Sequence, residues 1–239
     1  TFRYYEELKK RYSQVKVVTW DGPFNYSAIN NFGAKYADGD YFLLLNNDTE
    51  VITPEWLENM MGYCQREDVG IVGAKLLYPD NTVQHAGVVV GIAGFAGHIL
   101  TGYDRYATGY LWRLCTTQDE SAVTGACLMV KRSVYEEVGG LDESFAVGLN
   151  DIDFCLRVRA IDKLVVFTPE ACLYHYESKS RGLENTPEKK ARLQREVDHF
   201  RERHGDFLKA GDPYYNPNLS IVRGDCAFRM ASEKKDEII

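Results

Sequence analysis

Short hydrophobic runs and amphipathic segments alternate along the chain. The hydrophobic runs predict strands at 15–20, 41–46, 69–73, 88–90, 121–131, 164–167 and 171–174. Segments with apolar residues at helical spacing predict helices that begin near 6, 27, 53, 133, 150 and 186. Because strands alternate with helices throughout, the pattern is typical of an α/β sheet. We therefore predict one domain over 1–232 and a charged tail over 233–239.

The predicted helix boundaries rest on capping residues. Ser, Thr and Asn side chains accept hydrogen bonds from the first N–H groups of a helix. The expected N-caps are Ser27, Thr53 (followed by Pro54), Ser133, Asn150 and Thr186. Gly205 is expected to end the last helix, because glycine readily adopts the conformation that follows a helix.

The charge balance and the cysteines narrow the class of protein. The 239 residues include 28 basic and 35 acidic ones, for a formal net charge of −7. A nucleic-acid-binding protein needs a basic surface, so we expect no nucleic-acid partner. No apolar stretch approaches the ~20 residues that span a bilayer. The six cysteines form no CxxC pair and several lie in apolar runs, which favours free thiols in a reduced, cytoplasmic protein.

The most informative polar cluster is Asn46-Asn47-Asp48, which follows the apolar run 41–45 directly. In open α/β sheets, ligands bind beyond the carboxyl ends of the strands. A carboxylate flanked by amides suits a divalent cation that also carries phosphate oxygens. The alternative is an ordinary turn after a strand, since Asn and Asp favour turns.

Two more polar clusters follow apolar runs, Asn150-Asp151-Ile152-Asp153 and His175-Tyr176-Glu177-Ser178. Carboxylates and an imidazole suit cation binding and general base chemistry. Asp151 falls in a first helical turn, where N–H groups would keep it ionised. The alternative is that it is only an N-terminal helix charge. Asp153 is expected to cap the same helix.

The histidines differ in their surroundings. A lone histidine is more often a structural hydrogen-bonding residue than a ligand, but the polar neighbours of His175 favour a site there. His85 is expected to be structural. No role is assigned to His98, His199 or His204.

Seven segments match one family, in the same order along almost the whole chain. They are Asp21-Gly-Pro-Phe-Asn-Tyr-Ser-Ala-Ile-Asn-Asn-Phe-Gly33, Leu44-Leu-Asn-Asn-Asp-Thr-Glu-Val51, Gln84-His-Ala-Gly87, Thr124-Gly-Ala-Cys127, Gly140-Leu-Asp-Glu-Ser-Phe145, Asn150-Asp-Ile-Asp-Phe-Cys-Leu-Arg157 and Leu173-Tyr-His-Tyr-Glu-Ser178. With these motifs the chain resembles a family-2 glycosyltransferase of the GT-A fold, in the bacterial rhamnosyltransferase-like branch. The resemblance implies a mixed, Rossmann-like sheet with flanking helices.

The resemblance also implies roles for individual residues. The implied donor site comprises Asn46, Asn47 and Asp48 at the DxD position, Asn31 and Gly33 at the nucleotide base, and Gly125 and Ala126 near the sugar. Asp48 and His175 would bind a divalent metal, Mg²⁺ or Mn²⁺. Asp151 would deprotonate the acceptor hydroxyl, with Asn150 and Asp153 on the acceptor side. Asn46 replaces the usual first aspartate, which weakens the negative charge at the metal.

The implied reaction moves a sugar, with inversion, from a UDP-, dTDP- or GDP-linked donor to a hydroxyl of a saccharide or lipid-linked acceptor. Such a reaction would serve bacterial surface polysaccharide synthesis. A lipid-linked acceptor would bring a cytoplasmic protein to the inner membrane face as a peripheral protein.

One departure concerns the start of the chain. Members of this family begin with a strand, a turn and a second strand that hold the nucleotide base, and the chain shows neither motif. We therefore expect an N-terminally incomplete domain. This departure favours one alternative, a non-catalytic remnant that binds sugar or a partner chain. A nucleotidyltransferase is a second alternative, but the chain lacks the glycine-rich phosphate loop that such enzymes show.

Overall fold

The computed structural model describes residues 2–176 and 186–233. Its helices are α1 (Phe2–Arg11), α2 (Tyr26–Ala34), α3 (Trp56–Cys64), α4 (Arg132–Glu137), α5 (Asn150–Arg159) and α6 (Pro187–Ala210). Its strands are β1 (Tyr41–Leu45), β2 (Thr49–Val51), β3 (Val69–Leu77), β4 (Val83–His85), β5 (Val88–Val90), β6 (Ala96–His98), β7 (Gln118–Asp119), β8 (Cys127–Lys131) and β9 (Leu164–His175). Glu177, Ser178 and the tail from 234 lie outside the described residues.

Seven of the described strands form a mixed sheet with the order β1-β8-β3-β9-β2, in which β4 also pairs with β3 and β7 with β9. β3 and β9 run parallel, and the other pairs in this sheet are antiparallel. β5 and β6 form a separate antiparallel hairpin. The predicted α/β architecture with a mixed sheet is confirmed.

The sheet is covered on both faces. All nine residues of β3 are buried, as expected for a central strand with helices on either side. Alternate residues of β8 belong to different cores: Cys127 and Met129 pack with α3, and Leu128 and Val130 pack with α5 and α6. No described helix has the length and apolar composition needed to cross a bilayer.

The predicted strand at 15–20 is wrong. This segment has no strand pairing, and Val17, Val18 and Trp20 remain 39%, 40% and 37% exposed. The Trp20 ring instead packs edge-on against Phe32 of α2, with ring centroids 5.6 Å apart. β-branched residues favour extended backbone, but a strand also requires a paired neighbour.

Several predicted boundaries also change. Asn25, rather than Ser27, caps α2: its Oδ1 accepts from the Ala28 N–H at 3.0 Å. Asn150 lies inside α5, and the cap position is Leu149. Among the helices, α3 begins at Trp56 rather than at Pro54, and α4 begins at Arg132 without a side-chain cap. Among the strands, the one predicted at 121–131 starts only at Cys127, and the two predicted over 164–174 form one strand, Leu164–His175.

The last helix begins as predicted but ends later. Thr186 caps α6 by accepting from the Lys189 N–H at 3.3 Å. The helix passes through Gly205 and ends at Ala210, after a local distortion at His204 with φ −110° and ψ 21°. Gly211, at φ 87°, takes the terminating position that was predicted for Gly205.

Candidate functional site

The polar clusters that follow separate apolar runs meet in one cleft of about 850 Å³. Of the predicted site residues, the cleft is lined by Asn46, Asn47, Asp48, Gly125, Ala126, Asn150, Asp151 and His175. Its remaining walls come from Phe24 and Tyr26, from the β5–β6 hairpin and from the loop 147–149. The structure therefore brings together residues that lie up to 129 positions apart in the chain.

The turn between β1 and β2 presents Asp48 to the cleft. The Asn46 N–H donates to the Ala126 carbonyl at 2.9 Å, and the Thr49 hydroxyl donates to the Asn46 carbonyl at 2.8 Å. β2 then pairs with the end of β9, where Thr49 lies opposite His175. This pairing holds the Asp48 side chain beside the His175 ring, with Oδ1 3.2 Å from Nε2.

Gln84 of β4 determines which ring nitrogen of a neutral His175 carries the proton. Its Oε1 lies 2.7 Å from the His175 Nδ1, and its Nε2 donates to the His175 carbonyl at 3.3 Å. Because the Gln84 oxygen can only accept, Nδ1 carries the proton of the neutral ring. Nε2 then accepts from the Asn46 amide at 3.2 Å. The Asn46 amide and the Asp48 Oδ1 thus both lie 3.2 Å from Nε2, and a cation bound at Nε2 would displace the Asn46 hydrogen bond.

The donor set at Asp48 suits a divalent cation that a ligand helps to hold. A carboxylate oxygen and an unprotonated imidazole nitrogen face each other at 3.2 Å, and a cation between them would satisfy both. Over residues 2–176 and 186–233, no group of three or more His, Cys, Asp or Glu side chains could bind a metal. The two residues fit a metal whose other ligands are water and phosphate oxygens, as is usual for Mg²⁺ and Mn²⁺.

Asp151 lies in the first turn of α5 with both carboxylate oxygens engaged. Oδ1 accepts from the Ile152 N–H at 2.9 Å, and Oδ2 accepts from the Gly125 N–H at 2.8 Å. A Cβ at Gly125 would lie 2.9 Å from the Tyr26 Oη and 3.4 Å from the Asp151 Cβ, so the close approach needs glycine. The two N–H groups fix the orientation of the carboxylate.

Glu196 of α6 anchors the loop that leads into α5. Its carboxylate is buried and accepts from the N–H groups of Val147 and Gly148, at 2.9 and 3.1 Å. Two residues later Leu149 adopts φ 62°, an uncommon value for a non-glycine residue. The loop enters the cleft in a single arrangement because Glu196 holds both amides.

Replacing Glu196 by alanine is expected to lower the free energy of unfolding by about 2–3 kcal/mol, because two charge-assisted hydrogen bonds are lost. Urea unfolding of the Glu196→Ala variant measures this loss. Glu202 is exposed on the same helix, so Glu202→Ala serves as the control and should change stability by no more than ~0.5 kcal/mol. Equal effects of the two changes would contradict the anchoring role.

Three predicted site residues lie away from the cleft. Asn31 bonds to the backbone of Leu141 and to the Tyr135 hydroxyl, and so holds the turn after α4. Gly33 lines a separate pocket beside Trp20 and β1. The placement expected for Asp153 is corrected: its side chain is fully buried in ion pairs with Arg157, Arg203 and His204, and it neither caps α5 nor reaches the cleft.

The site is also shaped by Gln84, Glu196 and His98, for which the sequence predicted no role. Gln84 belongs to the Gln-His-Ala-Gly motif, so that motif is a usable signal. Glu196 stands on the same helix face as the apolar residues Leu193 and Val197, and a carboxylate on a buried face indicates a specific partner. His98 lies in a glycine-rich stretch that carries no comparable signal.

Two curated relatives match nearly the whole chain. "Uncharacterized protein y4gI" of Sinorhizobium fredii is 48% identical over 228 residues, which are 94% of this chain and 25% of the relative. "O-antigen biosynthesis protein RfbC" of Myxococcus xanthus is 43% identical over 226 residues, or 92% of this chain and 17% of the relative. The chain thus spans a quarter or less of the length of these relatives.

A solved structure shares the fold. The mannosyltransferase PcManGT from Pyrobaculum calidifontis, in complex with GDP-Man and Mn²⁺, aligns with a TM-score of 0.55 and 12% identity, over 84% of this chain and 50% of that one. This likeness confirms the predicted GT-A fold. The family model "Glycosyl transferase family 2" matches residues 3–139, which is more than half of the chain. The protein therefore belongs to glycosyl transferase family 2.

Proposed function

We propose that this protein transfers a sugar from a nucleotide-sugar donor to an acceptor hydroxyl in a single displacement with inversion. The observation that supports this most is the shared cleft: the Asp48–His175 pair and the Asp151 carboxylate all line it. The Asp48–His175 pair suits a diphosphate with its cation, and the Asp151 carboxylate suits removal of a proton from the acceptor. Family membership supports the same reaction class.

The donor's diphosphate would lie at Asp48 and His175. With Asn46, these residues would hold Mg²⁺ or Mn²⁺, and the Gln84 oxygen at Nδ1 orients the His175 ring with Nε2 toward Asp48. When bound, the cation supplies Lewis-acid stabilisation of the leaving diphosphate. The Mn²⁺ and GDP-Man bound to the Pyrobaculum calidifontis protein support this assignment.

Asp151 would accept the proton of the acceptor hydroxyl. The hydroxyl oxygen bonds to the anomeric carbon from the face opposite the diphosphate, the bond between that carbon and the phosphate oxygen breaks, and a nucleoside diphosphate leaves. A carboxylate is intrinsically a weak base, and the hydrogen bonds from Gly125 and Ile152 fix the orientation of this one. Such a base suits proton transfer late in the reaction, and positioning supplies much of the remaining rate enhancement.

The names of the relatives support a class of substrates. We assign a UDP-, dTDP- or GDP-linked donor, and a saccharide or lipid-linked acceptor that Asn150 would help to place. The Myxococcus xanthus relative is named for O-antigen biosynthesis, which supports a role in bacterial surface polysaccharide. A lipid-linked acceptor would place the reaction at the inner membrane face. Asn31 and Gly33 stay predicted contacts of the nucleotide base.

Donor binding can be tested by thermal unfolding with UDP, dTDP or GDP, each with and without Mn²⁺. A ligand at 100 times its dissociation constant stabilises by about 2.7 kcal/mol. For a chain of this size that raises the melting temperature by roughly 5–10 °C. We expect one nucleotide to give this rise, only with Mn²⁺, and Asp48→Ala to abolish it.

The control is Asp206→Ala, which removes a fully exposed carboxylate and should keep the nucleotide-dependent rise. A rise that survives Asp48→Ala would place the metal elsewhere. If no nucleotide stabilises the unaltered chain, the chain has no working donor site, and the alternative of a sugar- or partner-binding remnant takes over.

A further inference from the structure

A pair of histidines, His85 and His98, connects the cleft wall to the core, and neither has a role in the proposed reaction. His85, in β4, is completely buried, and its Nδ1 lies 2.9 Å from the Nδ1 of His98 in β6. On its other side, the His85 Nε2 accepts from the Thr124 N–H at 3.4 Å. His98 lines the cleft.

These contacts define the tautomers of both rings. Burial, followed by the neighbouring His98 and His175 rings, holds the pKa of His85 well below its usual range, so this ring carries one proton. Because Nε2 accepts from Thr124, that proton lies on Nδ1 and is donated to His98. The His98 Nδ1 must then be the acceptor. The Nε2 of His98 therefore carries a proton.

The hairpin that carries His98 is held in place. His98 lies opposite Val88 in the β5–β6 pair, and the Val88 N–H donates to the Ala122 carbonyl at 3.0 Å. The Val90 N–H donates to the partly buried Asp212 carboxylate at 2.8 Å. A side chain on such an anchored hairpin is pre-organised, which lowers the entropy that a bound ligand must overcome.

His98 and His175 are oriented by adjacent residues of β4. Gln84 sets the tautomer of His175, and His85 sets that of His98. His98 and His175 line the same cleft, in which the proposed function places the donor. The group next to the donor's diphosphate is the donor sugar.

We propose, on the basis of the function proposed above, that His98 donates a hydrogen bond from Nε2 to a hydroxyl of the donor sugar, and that His85 is the positioning residue that enforces this tautomer. A neutral N–H suits a hydroxyl oxygen better than a diphosphate, which draws on charges and cations. The apolar side chains of Val88 and Phe95 beside His98 suit the C–H groups of a sugar ring.

Calorimetry can separate a sugar contact from a diphosphate contact. The titrants are UDP and UDP-glucose, dTDP and dTDP-rhamnose, and GDP and GDP-mannose, all with Mn²⁺. We expect His98→Ala to weaken binding of the recognised nucleotide-sugar about tenfold, the effect of one lost hydrogen bond. Binding of the matching nucleoside diphosphate should not change. His98→Gln keeps an N–H donor and should recover most of the loss.

The outcomes are distinguishable. Equal weakening of nucleotide and nucleotide-sugar, or no change in either, overturns the sugar contact while leaving the proposed function intact. If the unaltered chain binds neither class of ligand, the proposed function fails and the role of His98 fails with it.

The tautomer is tested separately by ¹⁵N–¹H spectra of the imidazole groups, which need no ligand and no substitution. We expect His98 to be protonated on Nε2 and not on Nδ1. In His85→Phe this preference should disappear, and nucleotide-sugar binding should fall as in His98→Ala. A proton on the His98 Nδ1 in the unaltered protein would overturn the positioning role of His85.

Discussion

Replacing Asp151 by asparagine is expected to lower the rate of sugar transfer by roughly 10²- to 10⁴-fold, the usual contribution of a general base. Asparagine has nearly the same shape, and its one oxygen can still accept from either the Gly125 or the Ile152 N–H. The amide cannot take a proton from the acceptor. Nucleotide binding should be unchanged, because the proposed nucleotide site is at Asp48 and His175 rather than at Asp151.

Initial rates of nucleoside diphosphate release measure this effect, with thermal unfolding in the recognised nucleotide and Mn²⁺ as the binding assay. Asp198→Asn is the matched control, since Asp198 is an exposed aspartate on α6 and should keep the full rate. A rate within a few-fold of the unaltered protein would show that another group accepts the proton. Loss of rate together with loss of nucleotide binding would indicate a disturbed cleft.

The sequence was sufficient to predict which polar clusters contribute residues to the cleft, because each follows an apolar run that becomes a strand or leads into a buried helix. Asp48 follows β1, and His175 ends β9. Polar groups at such positions lie at the edge of a sheet, where clefts form. Composition and spacing could not show that β2 pairs with the end of β9 and so brings these two side chains to 3.2 Å.

The partners of Gln84, His85 and Glu196 could not be predicted, because only the fold brings His175, His98 and the amides of 147–148 to them. A buried glutamine is informative only once its oxygen is seen beside a ring nitrogen. The strand predicted at 15–20 failed for a related reason. Its composition favours extended backbone, but pairing is a property of the neighbouring chain segment.

The two aspartates of α5 show what helix geometry adds. Residues two apart on a helix point about 200° apart around its axis, because each residue turns the chain by roughly 100°. Asp151 faces the cleft, and Asp153 therefore faces away from it, toward α6. The Asp-Ile-Asp spacing could thus have separated the two roles without a structure.

Replacing Asp153 by alanine is expected to lower the free energy of unfolding by about 3–5 kcal/mol, because it removes a fully buried carboxylate and leaves the largely buried Arg157 guanidinium without its counter-charge. The Arg157 Nε donates to its Oδ2 at 2.8 Å, and the His204 Nε2 lies 2.8 Å from its Oδ1. This link joins α5 to α6 at the distorted turn of α6. For a chain of this size the melting temperature should fall by roughly 6–20 °C.

The charge of Asp153 makes this contribution dependent on pH. Burial alone would raise the pKa of Asp153, but the hydrogen bond from His204 and the charges of Arg157 and Arg203 lower it below its ordinary value. A carboxyl group with a lowered pKa stabilises the folded state above its unfolded pKa, and this stabilisation is lost as the pH falls through the folded pKa. The stability difference between the unaltered protein and Asp153→Ala should therefore narrow in acid.

A double-mutant cycle separates this structural role from an acceptor-binding role. Asp153→Ala and Arg157→Ala together should cost less than the sum of the single changes, because the double variant leaves no unpaired charge in that pair. Below its melting temperature, Asp153→Ala should retain the transfer rate and nucleotide binding, since its side chain does not line the cleft. Additive single changes would contradict the buried pair. A large loss of rate in a fully folded Asp153→Ala protein would support the acceptor-binding role that the sequence predicted for Asp153.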